Sequence, residues 1–491
     1  MKNLQNPIAQ DELATQFMQQ LAKHPAFQEQ RYFVRLQDIM AAHRFVVIPS
    51  EHLQTPQENK QQSLVPVYKI SYFTQQDPKA CSYVTLDYYQ RKLAHRKPLP
   101  NAVIITAVGT VGHVLRYNPE PDNKHIYYSS NFIYFDNDEK YIINDFLYYY
   151  LRTINWSKQA VVKGQGTALN SLYARDLYDI RIPLIAKQHQ QEIVNLLRCF
   201  EQVDQEAAKL HAANKVRFTQ TLRTIFALLQ NQSLGKQTIP ADIAQLVNPK
   251  QQYEAIPLQQ IGAGHRFNAI NRSHMVTEIP RGLSVDDYVP FYNLSDFSGI
   301  GASERRAPQY YIAKQIFVSS LKKSVYPRAG SILLSASGTI GKPIIKLACD
   351  EYFSNHFIWV DNNEKIISNQ FLYYFYLSKE RWETIGASAT IRQIYIKRHL
   401  LPLQVPLISL AQQAKITNYL SLLEQTVTAS QEYVDCVLRR SHNLAYNIFY
   451  FLLTDAQDAY EQLIAKDLQA KQIFKQTQNC PLDFAFEQIK S

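Results

Sequence analysis

Three stretches of this chain have residue types that could carry chemistry, and each can be judged on its spacing. Gly338-Thr339-Ile340-Gly341-Lys342 has the glycines and lysine of a phosphate-cradling loop. A Walker loop needs a glycine five positions before the second one and a Ser or Thr after the lysine, because backbone N–H groups hold the phosphates and the hydroxyl holds Mg²⁺. Ala336 and Pro343 stand at those places, and the related stretch Gly109-Thr110-Val111-Gly112 is followed by His113. Both read as tight turns near a binding surface. Ile261-Gly262-Ala263-Gly264 suggests a methyl-donor or dinucleotide loop, but its counterpart Ile39-Met40-Ala41-Ala42 lacks both glycines, so the loop reads as structural. An adenine methyltransferase would need an acidic residue or Asn followed by Pro-Pro-aromatic, and the chain has no Pro-Pro. Neither His-Glu-x-x-His nor Gly-x-Ser-x-Gly occurs, and no paired-carboxylate-plus-lysine cluster stands out. The expectation is a chain with no catalytic site and no metal site of its own.

The remaining chemistry is cationic. Arg91, Lys92, Arg96 and Lys97 interleave with Tyr88 and Tyr89, and Lys163 lies beside Gly164-Gln165-Gly166. Further along come Arg305-Arg306, Lys322-Lys323, Arg392-Gln393 and Lys397-Arg398. Arg and Lys pair with guanine O6/N7, and Gln or Asn with adenine N6/N7, so these cations are the candidates for reading DNA. The net charge is +10, and its placement is informative. Residues 43–182 carry 16 Lys/Arg against 12 Asp/Glu and residues 265–405 carry 17 against 11, which leaves the remainder neutral. Two basic segments are the pattern of two surfaces for an anionic ligand.

Those segments are copies of each other. Leu36-Gln37-Asp38-Ile39-Met40-Ala41-Ala42-His43-Arg44-Phe45 returns 222 positions later as Leu258-Gln259-Gln260-Ile261-Gly262-Ala263-Gly264-His265-Arg266-Phe267. Other landmarks recur in the same order. A β-branched run leads into each glycine turn, Phe132–Asn137 answers to Phe357–Asn362, and Phe146-Leu147-Tyr148-Tyr149 answers to Phe371-Leu372-Tyr373-Tyr374. What both copies keep should be scaffold, phosphate contact or partner contact, and what differs should discriminate bases. His43, Arg44, His265 and Arg266 are therefore expected to be framework or phosphate residues. The tyrosine clusters read as amphipathic core.

A long segment almost free of Gly and Pro follows each copy. Ile193, Leu196, Phe200, Val203, Ala207 and Leu210 are spaced three and four apart, as are Ile416, Tyr419, Leu423 and Val427. That is the seam of a coiled coil, on a helix on the order of 65 Å long. Each stripe needs a partner, and the obvious one is the other helix. The predicted fold is an internal duplication of two mixed α/β (α+β) domains, joined by two long antiparallel coiled-coil helices in a pseudo-two-fold arrangement. The expected segments are an amino-terminal helical stretch 1–33, a first domain 34–186, a helix 187–232, a connector 233–255, a second domain 256–408, a helix 409–454 and a helical extension 455–491. Five cysteines without Cys-x-x-Cys spacing and no apolar run of about 18 residues point to the cytoplasm and to no membrane contact.

With Pro183-Leu184 followed by Gln190-Gln191, and Pro406-Leu407 by Gln412-Gln413, each domain closes on a Pro-Leu-x-x-x-x-Gln-Gln segment and a long helix. Together with the Gly-Thr-Val-Gly and Gly-Thr-Ile-Gly turns, this doubled order resembles the specificity (S) subunit of type I restriction–modification systems over roughly residues 34–455. The resemblance implies two target-recognition domains that bind the halves of a bipartite double-stranded DNA site in phage defence. It implies helices that set the spacer, and docking of two methyltransferase (modification) subunits with restriction/translocase subunits. S-adenosylmethionine, Mg²⁺ and ATP are implied on those partners. The alternative is a pseudo-symmetric protein-interaction scaffold in a phage-defence or anti-restriction complex.

Overall fold

Val103-Ile104-Ile105 and Ile332-Leu333-Leu334 are unbroken apolar runs, the pattern of strands covered on both faces. A computed structural model describes residues 23, 32–55, 63–74, 81–109, 111–118, 125–153, 171–235, 238–280, 282–298, 304–321, 325–348, 350–378 and 393–453. Apart from Lys23, Tyr32 and Phe33, the expected amino-terminal stretch lies outside the described residues, as does the whole extension 455–491. The chain forms two compact units, one of Met1–Glu206 with Asp435–Ser491 and one of Ala207–Val434.

In the first unit β1 (Tyr32–Arg35) and β9 (Arg181–Leu184) pair antiparallel and bring the ends of the domain together. A four-stranded sheet has the order β2 (Ala41–Arg44), β8 (Phe132–Asp136), β5 (Val103–Thr106), β6 (Val114–Arg116). A three-stranded sheet has the order β4 (Cys81–Thr85), β3 (Leu64–Tyr68), β7 (Tyr127–Tyr128), with β3 and β7 parallel. Both faces of β5 are buried: Val103 and Ile105 pack with the helices, while Ile104 packs against the smaller sheet.

The second unit repeats this order. β10 (Ala255–Pro257) pairs with β18 (Gln404–Pro406). The larger sheet runs β11 (Gly262–Arg266), β17 (Phe357–Asn362), β14 (Ile332–Ser335), β15 (Pro343–Ile345). The smaller contains β13 (Tyr310–Ala313), β12 (Tyr288–Tyr292) and β16 (Tyr352–Phe353), again with one parallel pair. Ile332 and Leu334 face the helices and Leu333 the smaller sheet. The copies differ at the edges: Met275–Val276 adds a strand beside β13, and Phe297–Ser298 pairs with Glu304–Arg305. Gly262 has no room for a side chain, since an added Cβ would lie 2.1 Å from the Asp361 carbonyl oxygen. The glycine loop is thus a strand pressed against its neighbour.

Four helices complete the frame: α1 (Asn144–Thr153), α2 (Lys187–Leu229), α3 (Asn369–Leu377) and α4 (Leu410–Leu453). The tyrosines of α1 and α3 are core, as expected, but their hydroxyls also do something specific. Tyr149 donates to the Glu201 carboxylate at 2.6 Å, and Tyr373 and Tyr374 donate to Glu424 at 2.7 and 2.8 Å. The long helices run antiparallel within each unit. Ser441 donates to Asp204 in the first, and His211 is hydrogen-bonded to Ser430 in the second. The predicted seam holds for Ile193, Ala207, Ile416 and Val427 but fails at Val203 and Leu210, which are 46% and 52% exposed. Small and polar contacts close the helix pair there. The main apolar stripes lie toward the ends, where Leu197 packs with Ile448 and Phe449, and Phe226 with Phe371.

Each domain is fixed to its helix by one buried amide. Gln190, fully buried, accepts from the Ile143 N–H at 2.9 Å and donates to the Tyr141 and Ile185 carbonyls, both at 2.9 Å. Gln413 repeats this with Ser368 N–H at 2.9 Å, Ile366 at 2.8 Å and Ile408 at 3.0 Å. Gln190→Leu would leave one buried and two partly buried backbone groups without this partner, at a cost of about 3 kcal/mol. Urea denaturation of the full chain should show that loss. Gln191→Ala, one residue along and exposed, should stay within about 0.5 kcal/mol of wild type.

Candidate nucleic-acid interface

The best-preserved stretch of the two copies turns out to hold the larger sheet to its neighbouring turn. Arg44 Nε donates to the Ser130 carbonyl at 2.6 Å. Arg266 donates to the Asn355 carbonyl at 3.2 Å and to that of Ile394 at 3.3 Å. Ser130 and Asn355 are equivalent, each lying two residues before β8 or β17. Burial lowers the pKa of Arg266. His43 lies opposite Tyr134 and His265 opposite Trp359 in the strand register, with ring centroids 5.5 and 5.4 Å apart. Phe45 and Phe267 anchor the stretch in the aromatic core between the two sheets. These contacts are those of framework residues. Arg44 and His43 are exposed, whereas Arg266 and His265 are half-buried.

The described residues of the two glycine turns share main-chain hydrogen bonds. Gly112 N–H bonds to Thr106 O at 3.0 Å and Gly341 N–H to Ser335 O at 2.8 Å. Gly109 and Gly338 take φ of +74° and +75°, a region that glycine enters without steric cost. Each turn meets two other segments. Ala107 N–H donates to Asn131 O, and Leu172 N–H to Ala107 O, at 2.7 and 2.8 Å. Ala336 N–H donates to His356 O, and Ile394 N–H to Ala336 O, both at 2.7 Å. Three stretches of chain therefore converge in each domain on one pattern of main-chain bonds.

Arg91, Lys92, Arg96 and Lys97 are all exposed, on or just after the irregular helical turns Leu86–Arg96. Buried Tyr89 and Leu93 root that segment in the core, Thr85 caps its start, and Arg91 pairs with Asp87. Such an exposed pair is worth little and leaves the cation accessible. In the second unit Arg306, Lys397 and Arg398 are exposed. Arg305 is not. Its guanidinium lies 2.7 Å from Glu351, whose side chain is only 7% exposed, and 3.8 Å from the centroid of the Tyr292 ring. A buried carboxylate needs its counter-ion, so Arg305 is held as a structural cation. Lys163, Lys322, Lys323 and Arg392 lie outside the described residues. Among the described residues no group of three or more His, Cys, Asp and Glu could hold a metal ion. No described helix is long and apolar enough to cross a membrane.

The family model of the type I restriction modification DNA specificity domain matches residues 33–215 and 282–433, well over half of the chain. The chain belongs to this family. A putative type I restriction enzyme specificity subunit of Haemophilus influenzae is 25% identical over 316 residues, covering 64% of this chain and 73% of the relative. A solved structure concerned with complex assembly and conformational transition of the type I R-M system shares the fold at TM-score 0.51 and 16% identity, over 85% of this chain and 97% of that one. A type I restriction-modification S subunit from M. genitalium matches at TM-score 0.47 and 16% identity, over 85% and 96%.

Within the specificity frame, sequence reasoning missed one pair of surface residues. Tyr173 and Tyr395 are both 48% exposed, on the lip just beyond the glycine-turn contact, and each is followed two residues later by an exposed cation, Arg175 or Lys397. They are 222 positions apart, so the repeat itself carried the signal. The two kinds of cation should separate in a thermal melt. Arg305→Ala strands a buried carboxylate and should cost about 3–5 kcal/mol, whereas Arg91→Ala should change stability by less than about 0.5 kcal/mol.

Proposed function

We propose that this chain is the non-catalytic DNA sequence-recognition subunit of a type I restriction–modification complex. Its two domains bind the two parts of a bipartite double-stranded target. The chain docks two methyltransferase subunits, and restriction/translocase subunits join them. S-adenosylmethionine, Mg²⁺ and ATP would then belong to those partners. The observation that carries the reading is one frame built twice with matching main-chain bonds but with different exposed cations, Arg91, Lys92, Arg96 and Lys97 in one copy and Arg306, Lys397 and Arg398 in the other. A shared frame with divergent basic surfaces suits two readers of different sequences: phosphate attraction supplies affinity, and groove contacts supply choice. The long helices, which run from one unit into the other, would set the spacing of the half-sites.

The test is binding of the full chain to a randomised duplex library and to one selected duplex across a salt series. Enrichment of a two-part sequence is expected, with affinity falling steeply as salt rises. Replacing Arg91, Lys92, Arg96 and Lys97 together by alanine should flatten the log–log salt slope by roughly 3–4 units, about 0.9 for each phosphate no longer neutralised. Binding without any sequence preference would sink the reading. Deleting two turns from the 205–225 stretch of α2, with the facing turns of α4, should shorten the spacer and leave both half-sites unchanged. An altered half-site with an unchanged spacer would refute the role of the helices.

A further inference from the structure

The two convergences around the glycine turns offer a comparison made by the molecule itself. Three main-chain hydrogen bonds recur in both: Gly112 to Thr106 with Gly341 to Ser335, Ala107 to Asn131 with Ala336 to His356, and Leu172 to Ala107 with Ile394 to Ala336. An isolated bridge repeats as well, Val108 with Ser171 in one unit and Ser337 with Gln393 in the other. On this shared pattern of bonds the side chains differ. The first junction carries Val108, Asn131 and Ser171, and the second carries Ser337, His356 and Gln393. His356 is exposed and the other five are half-buried. None of the six is Asp, Glu, Lys or Arg, so the junction adds little to phosphate attraction. It offers hydrogen-bonding groups in one domain and a methyl-bearing face beside one amide in the other. In the second, Ser337 Oγ is hydrogen-bonded to Nδ1 of His356, so Nε2 is the ring nitrogen not used in that bond.

Around each junction sit groups that both copies keep in kind. Arg44 or Arg266 bonds the carbonyl just before Asn131 or His356, and an exposed tyrosine with a cation two residues on forms the lip, Tyr173 with Arg175 and Tyr395 with Lys397. The exposed tyrosine and cation, constant in type, suit contact with the sugar–phosphate backbone, which carries no sequence. Variable neutral groups between them suit contact with base edges.

We propose that this three-way junction is a base-discriminating subsite in each domain. On this assignment, which rests on the DNA-reading function proposed above, Ser337, His356 and Gln393 select within one half-site and Val108, Asn131 and Ser171 within the other. The chemistry narrows the choice. Gln393 and His356 match the hydrogen-bonding edge of a purine, with adenine the partner of a glutamine amide. Val108 presents methyl groups suited to a thymine methyl, next to an Asn131 amide suited to adenine.

The experiment transplants the first set onto the second frame in the full-length chain, as the triple variant S337V/H356N/Q393S. Wild type and variant are each selected against a duplex library randomised across both half-sites, and the bound DNA is sequenced. Base preference should change by about tenfold or more at one to three adjacent positions of a single half-site. The other half-site and the spacer should stay as in wild type. An unchanged preference at every position overturns the proposal, and so does a uniform loss of affinity without a change of preference, which would mark a phosphate contact. H356N alone, at an exposed ring, guards against a folding defect: with a wild-type melting curve it should still shift the preference in that half-site, and no shift also overturns the proposal. If wild type itself selects no sequence, the DNA-reading function falls first and this subsite with it. If wild type selects and the variants do not differ from it, only the subsite falls.

Discussion

A side-chain amide with no access to water decides how each domain meets its helix. Gln190 sits one turn into α2 and satisfies three main-chain groups from the loop that precedes α1 and from the strand exit at Ile185. Gln413 does the same for α3 and Ile408. Each amide uses its acceptor once and both its donor hydrogens, so rotation of the side chain or sliding of the helix would strand a buried polar group. The helix register is therefore locked to the loop, the loop to α1 or α3, and that helix to one face of the larger sheet. The turns and lips that the sheet carries inherit their positions from this chain of contacts.

The second attachment in each unit is a glutamate on the long helix, and here the copies diverge in electrostatics while keeping geometry. Glu201 takes Tyr149 and Arg152, and nearby Asp145 takes Arg116 and Arg198 at 2.8 and 2.5 Å. At the places of Arg116, Asp145, Arg152 and Arg198 the second unit has Ile345, Gln370, Leu377 and Ser421. Glu424 is held by the hydroxyls of Tyr373 and Tyr374, and burial raises its pKa. A network of ion pairs in one copy and a carboxylate held by two hydroxyls in the other perform the same mechanical task. Fold and attachment are thus insulated from the charge of the outer surface, which leaves that surface free to differ between domains.

Much of this is legible in the sequence because a repeat reports constraints that single residues do not. The β-branched runs, the glycine turns, the Phe146 and Phe371 helices and the two long helices all fall where their patterns place them. The failures have physical causes. Val203 and Leu210 fit a seam by spacing, yet spacing cannot show that Ala207 and polar contacts fill the middle of the helix pair. Arg305 sits beside Arg306 in the sequence, but a two-residue strand turns one cation inward to Glu351 and the other outward. Gln190 and Gln413 stand out in the sequence only as part of a family pattern, because burial of an amide depends on a loop some 47 residues away in the chain. Tyr173 and Tyr395 are two tyrosines among many until their exposure is known.

The two domains are one frame, clamped alike to the helices, and on the proposed function sequence choice belongs to what the frame carries. The most direct measurement of that claim is the DNA sequence selected by a full-length chain in which residues 256–408 are replaced by a second copy of residues 34–186. The expected result is a folded protein that selects a site whose two parts carry the same half-site, the one read by the first domain in the natural chain. Selection of the original unequal pair, or a chain that folds but has no preference in the exchanged half, would contradict it.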